Sequence, residues 1–349
     1  MNLLAENLDE ISAHIRALGW IDADESITGL ASAGPGNMNR TLRAMVSNRS
    51  IILKQSVPFV ARYPEIPAPV DRIDVEARFY RAIADQPELS MRVPDVLGYD
   101  PANHLLCLED LGAGRDFTDM YERPGATGRW REGHLTTLIG WLWRLHALPI
   151  TLERLPDGLD NSSMRELNHA HIFEIPLDPN NGLVLRPGLA GIASEYAADD
   201  ALQAKASRLG ELYLGRTNHE SPDVLLHGDF YPGSWLHHST MGARIIDPEF
   251  AFLGPPEFDV GVLLAHLTMC GYQQPDLMTL LRSYVTPPGF DYNLAMGFAG
   301  IEIIRRLLGV AQLPLSVDDA TRLGWLATAR SFLLQTSVET SVDTRAGST

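Results

Sequence analysis

Cysteine is scarce: Cys107 and Cys270 are the only two in 349 residues, too few for a disulfide framework or a cysteine-based zinc site. That scarcity suits a reducing, cytoplasmic setting. Long apolar runs are missing as well. Hydrophobic residues make up 45% of the chain, yet Gly, Pro or a charge interrupts every stretch, so no segment is expected to span a bilayer. The N-terminal MNLLAENLDEISAHI places acids early and carries no basic leader, so it does not read as a signal peptide. Positive charge is in deficit: 28 Lys and Arg stand against 44 Asp and Glu, a net charge of −16. Such a surface repels nucleic-acid backbones. Neither nucleic acid nor membrane is expected as a partner, and a homodimer is left open. No internal repeat or long low-complexity run is present.

What is there divides into a strand-rich first third and a mainly helical remainder. Residues 3–18 carry apolar side chains at helical spacing and stop at Gly19. Residues 27–55 read as short strands around a Gly-containing turn, a second turn near Ser47–Ser50, and the β-rich run Ile51–Lys54. Four prolines between Pro58 and Pro69 exclude one regular element there. Helical periodicity returns at 71–86, and HLLCLEDLG (104–112) is a buried-type strand ending in acids and Gly. RWREGHLTTLIGWLWRLHAL (129–148) is an amphipathic helix, 150–190 is loop-rich, and 195–215 is helical again. Strand, loop, strand, turn and strand then follow over 224–250, and helices continue to about residue 336. The polar tail at 337–349 is expected to fray.

The densest chemistry lies in residues 227–259. Asp229 follows a strand in His227–Gly228–Asp229, and Asp247 follows another in Asp247–Pro248–Glu249. Between them a hairpin is expected, Ser234–His238 out and Ala243–Ile246 back. A hairpin returns the chain to its start, so the acids just outside its ends become neighbours. Either acid alone is an ordinary turn-former. Together they suit phosphoryl transfer, in which one carboxylate orients an attacking hydroxyl and another holds Mg²⁺ on the phosphates. Glu249 adds a further hard oxygen for that metal.

HGDxxxx(N/S) followed by D-x-(D/E) resembles the aminoglycoside phosphotransferase and choline kinase superfamily, and more closely the 5-methylthioribose kinases. HGDFYPGSW resembles their HGDLHTGS, and IIDPEFAFLGPPEFDVG resembles IDPEFGFYGPMGFDIG. The resemblance implies an α+β, bilobal protein-kinase-like fold, with a small antiparallel-sheet N-lobe (1–111) and a larger, mainly helical C-lobe (112–336). It implies an ATP-dependent small-molecule kinase. Asp229 would be the catalytic base, Asp247, Glu249 and Ser234 would hold Mg²⁺, and His227 and Asp259 would support the catalytic loop.

GPGNMN (34–39) resembles the family's GDGNLN, so Gly34, Gly36, Asn37 and Asn39 are assigned to the phosphate-covering loop. Lys54 follows on a strand and Glu76 on the next helix, the order in which a lysine meets the α- and β-phosphates and a glutamate holds the lysine. Glu109 and Leu111 fall at the implied hinge, where backbone groups would read adenine. IEIIRRLLGVAQLPL (301–315) resembles the family's twin-arginine helix, which assigns Arg305 and Arg306 to the acceptor, best named as 5-methylthioribose. Two positions differ from the family pattern. A tryptophan expected in the loop after Lys54 is absent, and His-Thr after HGDL is replaced by Tyr231–Pro232. Two other readings stay open at this stage, an aminoglycoside or amino-alcohol phosphotransferase and a nucleotide-binding pseudokinase. His146 is expected to cap its helix, Trp141 and Trp143 to be core, and His237 and His238 to be strand residues and not metal ligands.

Overall fold

A computed structural model describes residues 8–335, apart from 35–37, 48, 113, 123–128, 152–158 and 239. The expected tail at 337–349, and Gly36 and Asn37 of the glycine-containing loop, lie outside the described residues. The first lobe opens with helix α1 (Leu8–Ala17), then strands β1 (Ile27–Ser32), β2 (Arg40–Val46) and β3 (Arg49–Gln55). The proline-rich stretch forms two short paired strands, β4 (Phe59–Val60) and β5 (Tyr63–Pro67). Helices α2 (Arg72–Ile83) and α3 (Pro87–Ser90) precede strands β6 (Val96–Asp100) and β7 (Leu105–Glu109). The five longer strands make one antiparallel sheet in the order β1-β2-β3-β7-β6.

Period-2 alternation along β3 decides which face each residue serves. Ile51 and Leu53 point to a small core shared with Ile11 and Ile15 of α1. Lys54, one residue on, points the other way, where it meets Glu76 of α2. The strand pattern therefore brings the lysine to the interior cleft.

The second lobe is mainly helical. A short strand β8 (Arg115–Asp116) leads to helices α4 (Arg129–His146), α5 (Ser162–His169), α6 (Ala190–Ala197) and α7 (Asp200–Tyr213). Strands β9 (Val224–Leu226), β10 (Trp235–His238), β11 (Gly242–Ile245) and β12 (Phe252–Gly254) follow, then helices α8 (Pro256–Met269), α9 (Gln274–Leu280), α10 (Tyr292–Leu308) and α11 (Asp319–Gln335). The expected hairpin is β10–β11, with Trp235 opposite Ile245 and His238 opposite Gly242. Helix α8 has almost every residue buried and packs beside α10.

Three differences from the sequence reading have identifiable physical causes. The single helix expected over 195–215 is split, because Asp199 caps α7 by accepting from Ala201 and Leu202 N–H. β6 was not anticipated. Trp20 lies across it so closely that a Cβ on Gly98 would sit 2.0 Å from the indole Nε1. β12 was not anticipated either: it is three residues long and is defined by its pairing with β9, Phe252 opposite Leu226.

Candidate active site

Strand β9 delivers the chain into His227–Gly228–Asp229. The turn requires glycine at 228, where φ is +83° and a Cβ would lie 2.0 Å from the Phe250 carbonyl oxygen. The N–H groups of His227 and Gly228 donate to the two carboxylate oxygens of Asp259, at 2.7 and 2.9 Å, in the first turn of α8. His146 completes that support. It was expected to cap α4, but its ring is buried, with Nδ1 2.7 Å from the Tyr284 hydroxyl and Nε2 3.3 Å from Asp259. Phe230 stacks on Trp141 with ring centroids 5.8 Å apart. Burying each such side chain contributes about 1.5–3 kcal/mol to holding the loop down.

Backbone bonds tie the two acidic motifs together. The Ser234 hydroxyl donates to the Asp229 carbonyl at 2.9 Å, and the Ser234 carbonyl accepts from Ile246 N–H at 3.0 Å. The Ile246 carbonyl lies 3.0 Å from His227 Nε2. Ile246, which immediately precedes Asp247, is thus bonded on both sides to the loop that carries Asp229. Asp247 adopts the left-handed conformation (φ 62°, ψ 49°), which Asp tolerates better than most residues. From the region expected to be loop, Asn161 donates to the Glu249 and Ala251 carbonyls at 3.1 and 3.0 Å and so fixes the exit of the second motif.

A charge network fills the cleft behind. Lys54 Nζ lies 2.6 Å from both Glu76 and Asp247, and Tyr80 donates to Glu76 at 3.2 Å. Burial alone would lower the Lys54 pKa, but Asp247, Glu76 and Glu249 outweigh it and raise it, so the ammonium stays charged. Burial raises Glu76, and it raises Glu249 to about 7. Asn39 donates to Glu249 at 2.8 Å and accepts from Arg72 Nε at 2.8 Å. The Asn39 side chain, from the loop assigned to cover the phosphates, therefore links Glu249 to Arg72. Gly34 has open space around it. At the implied hinge Leu111 is buried, Glu109 pairs with Arg244 at 3.3 Å, and Asp110 forks onto Arg43 at 2.6 and 3.0 Å.

On the opposite side, α10 carries Arg305 and Arg306, each only 5% exposed. Arg306 Nη2 donates to Asp229 Oδ1 at 2.8 Å, and Arg305 Nη1 lies 3.9 Å from the same oxygen. The Arg306 guanidinium also sits over the Tyr231 ring, 4.6 Å from its centroid. Both arginines therefore converge on the acid of HGD.

Arg72, Glu302, His146 and Asn161 were missed by sequence reasoning. Arg72 had a signal, since it precedes Glu76 by one helical turn and shares its face. Glu302 had one too, standing three and four residues before the twin arginines. His146 and Asn161 act through tertiary contacts alone. His237 and His238 remain hairpin residues, with His238 Nδ1 accepting from Thr240 and Met241 N–H. No cluster of three metal-binding side chains of the His, Cys, Asp and Glu type occurs among the described residues.

The phosphotransferase enzyme family matches residues 37–292, well over half of the chain. The chain belongs to this family. It is similar to the methylthioribose kinase of Exiguobacterium sibiricum, 25% identical over 93% of this chain and 90% of that one. It is similar also to the methylthioribose kinase of Bacillus pumilus, 27% identical over 88% and 85%. Among solved structures it shares its fold with the choline kinase LicA from Streptococcus pneumoniae (TM-score 0.55, 12% identity, 93% and 98% covered). A spectinomycin phosphotransferase solved with ADP and spectinomycin shares it too (TM-score 0.51, 11% identity, 94% of both chains). The protein is accordingly a small-molecule kinase of bilobal, protein-kinase-like α+β fold, and family membership implies ATP use. Among the described residues no helix is long and apolar enough to cross a membrane.

Proposed function

We propose that the protein transfers the γ-phosphate of ATP to a hydroxyl of a small sugar-like acceptor, with 5-methylthioribose the leading candidate. The observation that carries this reading is Asp229, 15% exposed, joined to Arg306 at 2.8 Å and tied through Ile246 to the motif that Lys54 engages. Asp229 accepts the acceptor hydroxyl's proton as its oxygen forms the new bond to phosphorus and ADP leaves. Lys54, held by Glu76, neutralises phosphate oxygens, and backbone N–H groups near Gly34 cover them. The hard carboxylate oxygens of Asp247, 41% exposed, and of Glu249 fit Mg²⁺. With Ser234 behind them they would hold the ion, which supplies charge neutralisation at the phosphates. Arg305 and Arg306 bind acceptor oxygens, and Arg305 Nε is a buried donor with no partner among the described residues. Lobe boundaries near residues 111 and 112 and a cytoplasmic location belong to the same proposal, and the free state of both cysteines supports the latter.

An ammonium, as in choline or an aminoglycoside, offers no acceptor oxygen to the two guanidinium groups, which favours a hydroxyl-rich acceptor over a cationic one. The relatives named as methylthioribose kinases support the sugar reading. The test couples ADP release to a panel of methylthioribose, ribose, homoserine, choline and aminoglycosides. Stimulation by methylthioribose is expected, and stimulation by amines alone would replace the sugar reading. Asp229→Asn should keep the fold and lower turnover about a thousandfold. A near-normal rate would remove Asp229 as the base.

A further inference from the structure

Behind the twin arginines lies a buried hydrogen-bonded chain with no part in the chemistry above. Glu302, on α10 and 1% exposed, accepts from Arg306 Nε at 2.6 Å and from Arg305 Nη1 at 3.1 Å. Its Oε1 is also 3.1 Å from Nε2 of His266, a fully buried residue of α8. His266 Nδ1 in turn lies 2.5 Å from the hydroxyl of Tyr121, itself 4% exposed. A buried carboxylate is costly unless paired and hydrogen-bonded. Burial raises the Glu302 pKa, but Arg305 and Arg306 override it and hold the group far below the usual carboxylate range.

The proton placement follows from the partners. Burial keeps His266 neutral, so its ring carries one N–H. A carboxylate can only accept, so that N–H must sit on Nε2 and point at Glu302. Nδ1 is then an acceptor, and the Tyr121 O–H fills it. Remove that hydroxyl and Nδ1 loses its buried donor, so the ring is held on one side only. The carboxylate thus sets the tautomer, the tyrosine anchors the ring, the ring anchors the carboxylate, and the carboxylate holds both guanidinium groups.

We propose that Glu302, oriented by His266 and Tyr121, is the positioning residue that holds Arg305 and Arg306 against Asp229 for the acceptor. The idea rests on the kinase reading above, and two readouts keep the two separable. The first is phenylglyoxal labelling of arginines, read by peptide mass spectrometry and independent of activity. In the wild-type protein Arg305 and Arg306 should resist labelling while exposed Arg282 reacts. In Glu302→Gln both should label about tenfold faster, in line with the loss of charged hydrogen bonds. The second readout is kinetic: the acceptor KM should rise about tenfold or more in Glu302→Gln while the KM for ATP stays within about twofold. A merely structural role would spare both constants or raise both together. Tyr121→Phe removes a single hydroxyl and should move both readouts the same way by a smaller factor, and it decides the matter if Glu302→Gln does not fold. Arginines that stay protected in the folded variants, with an unchanged acceptor KM, would overturn the proposal. Loss of protection in a protein that no acceptor stimulates would keep the positioning role and sink the kinase reading.

Discussion

Replacing Arg72 by methionine keeps an apolar stem of similar length and deletes every donor at a fully buried position. Arg72 donates from Nε to Asn39 Oδ1 at 2.8 Å, from Nη1 to the Val57 carbonyl at 2.9 Å and to that of Pro69, and from Nη2 to the Met38 carbonyl at 2.8 Å and that of Phe59 at 3.4 Å. Its Nε also lies 3.5 Å from Glu249. Each orphaned buried acceptor costs about 1–3 kcal/mol, and breaking a buried charge pair about 3–5 kcal/mol. These terms do not add, because the surrounding loops can relax toward water. A net loss of about 4 kcal/mol is expected, a large share of the 5–15 kcal/mol typical of a folded protein. The assay is urea unfolding followed by tryptophan fluorescence, with the midpoint lowered and the slope unchanged. A double-mutant cycle with Glu249→Gln separates the two contributions. Since the ion pair is longer than most of the carbonyl contacts, the coupling should be about 1 kcal/mol, well below the total. An Arg72→Met protein within about 1 kcal/mol of wild type, or a coupling equal to the whole loss, would refute the view that this arginine mainly tethers the loops over the cleft.

Gly228→Ala places a side chain at φ +83° and a Cβ 2.0 Å from the Phe250 carbonyl. Left-handed strain and overpacking together predict a loss of about 3 kcal/mol or an insoluble protein, and a wild-type unfolding midpoint would contradict this. His227 gives a pH dependence. Its Nδ1 accepts from Asp229 N–H at 3.4 Å, so the ring must be neutral, and burial lowers its folded pKa. As pH falls below about 6.5 the unfolded chain takes up the proton first, so stability drops by up to about 1.4 kcal/mol per pH unit. The stability gap between wild type and His227→Gln should therefore narrow from pH 7.5 to pH 5.5, and a pH-independent gap in unfolding experiments would count against it.

The parts of the fold that the sequence disclosed are those set by short-range rules. The β10–β11 hairpin was legible because turn chemistry and alternation specify it locally. The order of Lys54 on its strand and Glu76 on the next helix likewise pointed to a pair that the structure joins at 2.6 Å. What escaped notice depends on partners distant in sequence. β12 exists because β9 lies beside it, and Asn161 matters because the carbonyls of Glu249 and Ala251 arrive from about 90 residues away. Glu302 shows the intermediate case. An acid in IEIIRRLL reads as a solvated helix residue until α8 buries it, although its spacing to both arginines was available in the sequence.

Charge placement joins these observations. In a chain of net charge −16, the cations that matter are spent on two separate neighbourhoods. At the proposed phosphate end Lys54 and Arg72 face Glu76, Asp247 and Glu249. Acids are in excess there, and under the proposed function Asp247 and Glu249 would hold a divalent cation that offsets that excess for an anionic nucleotide. At the proposed acceptor end Arg305 and Arg306 face Asp229 and Glu302, and the charges cancel. A balanced site rejects neither sign by its net field but presents donors to an acceptor's oxygens, which suits an uncharged polyol better than an ammonium. The discrimination would come from the fixed guanidinium groups, and so from the carboxylate behind them.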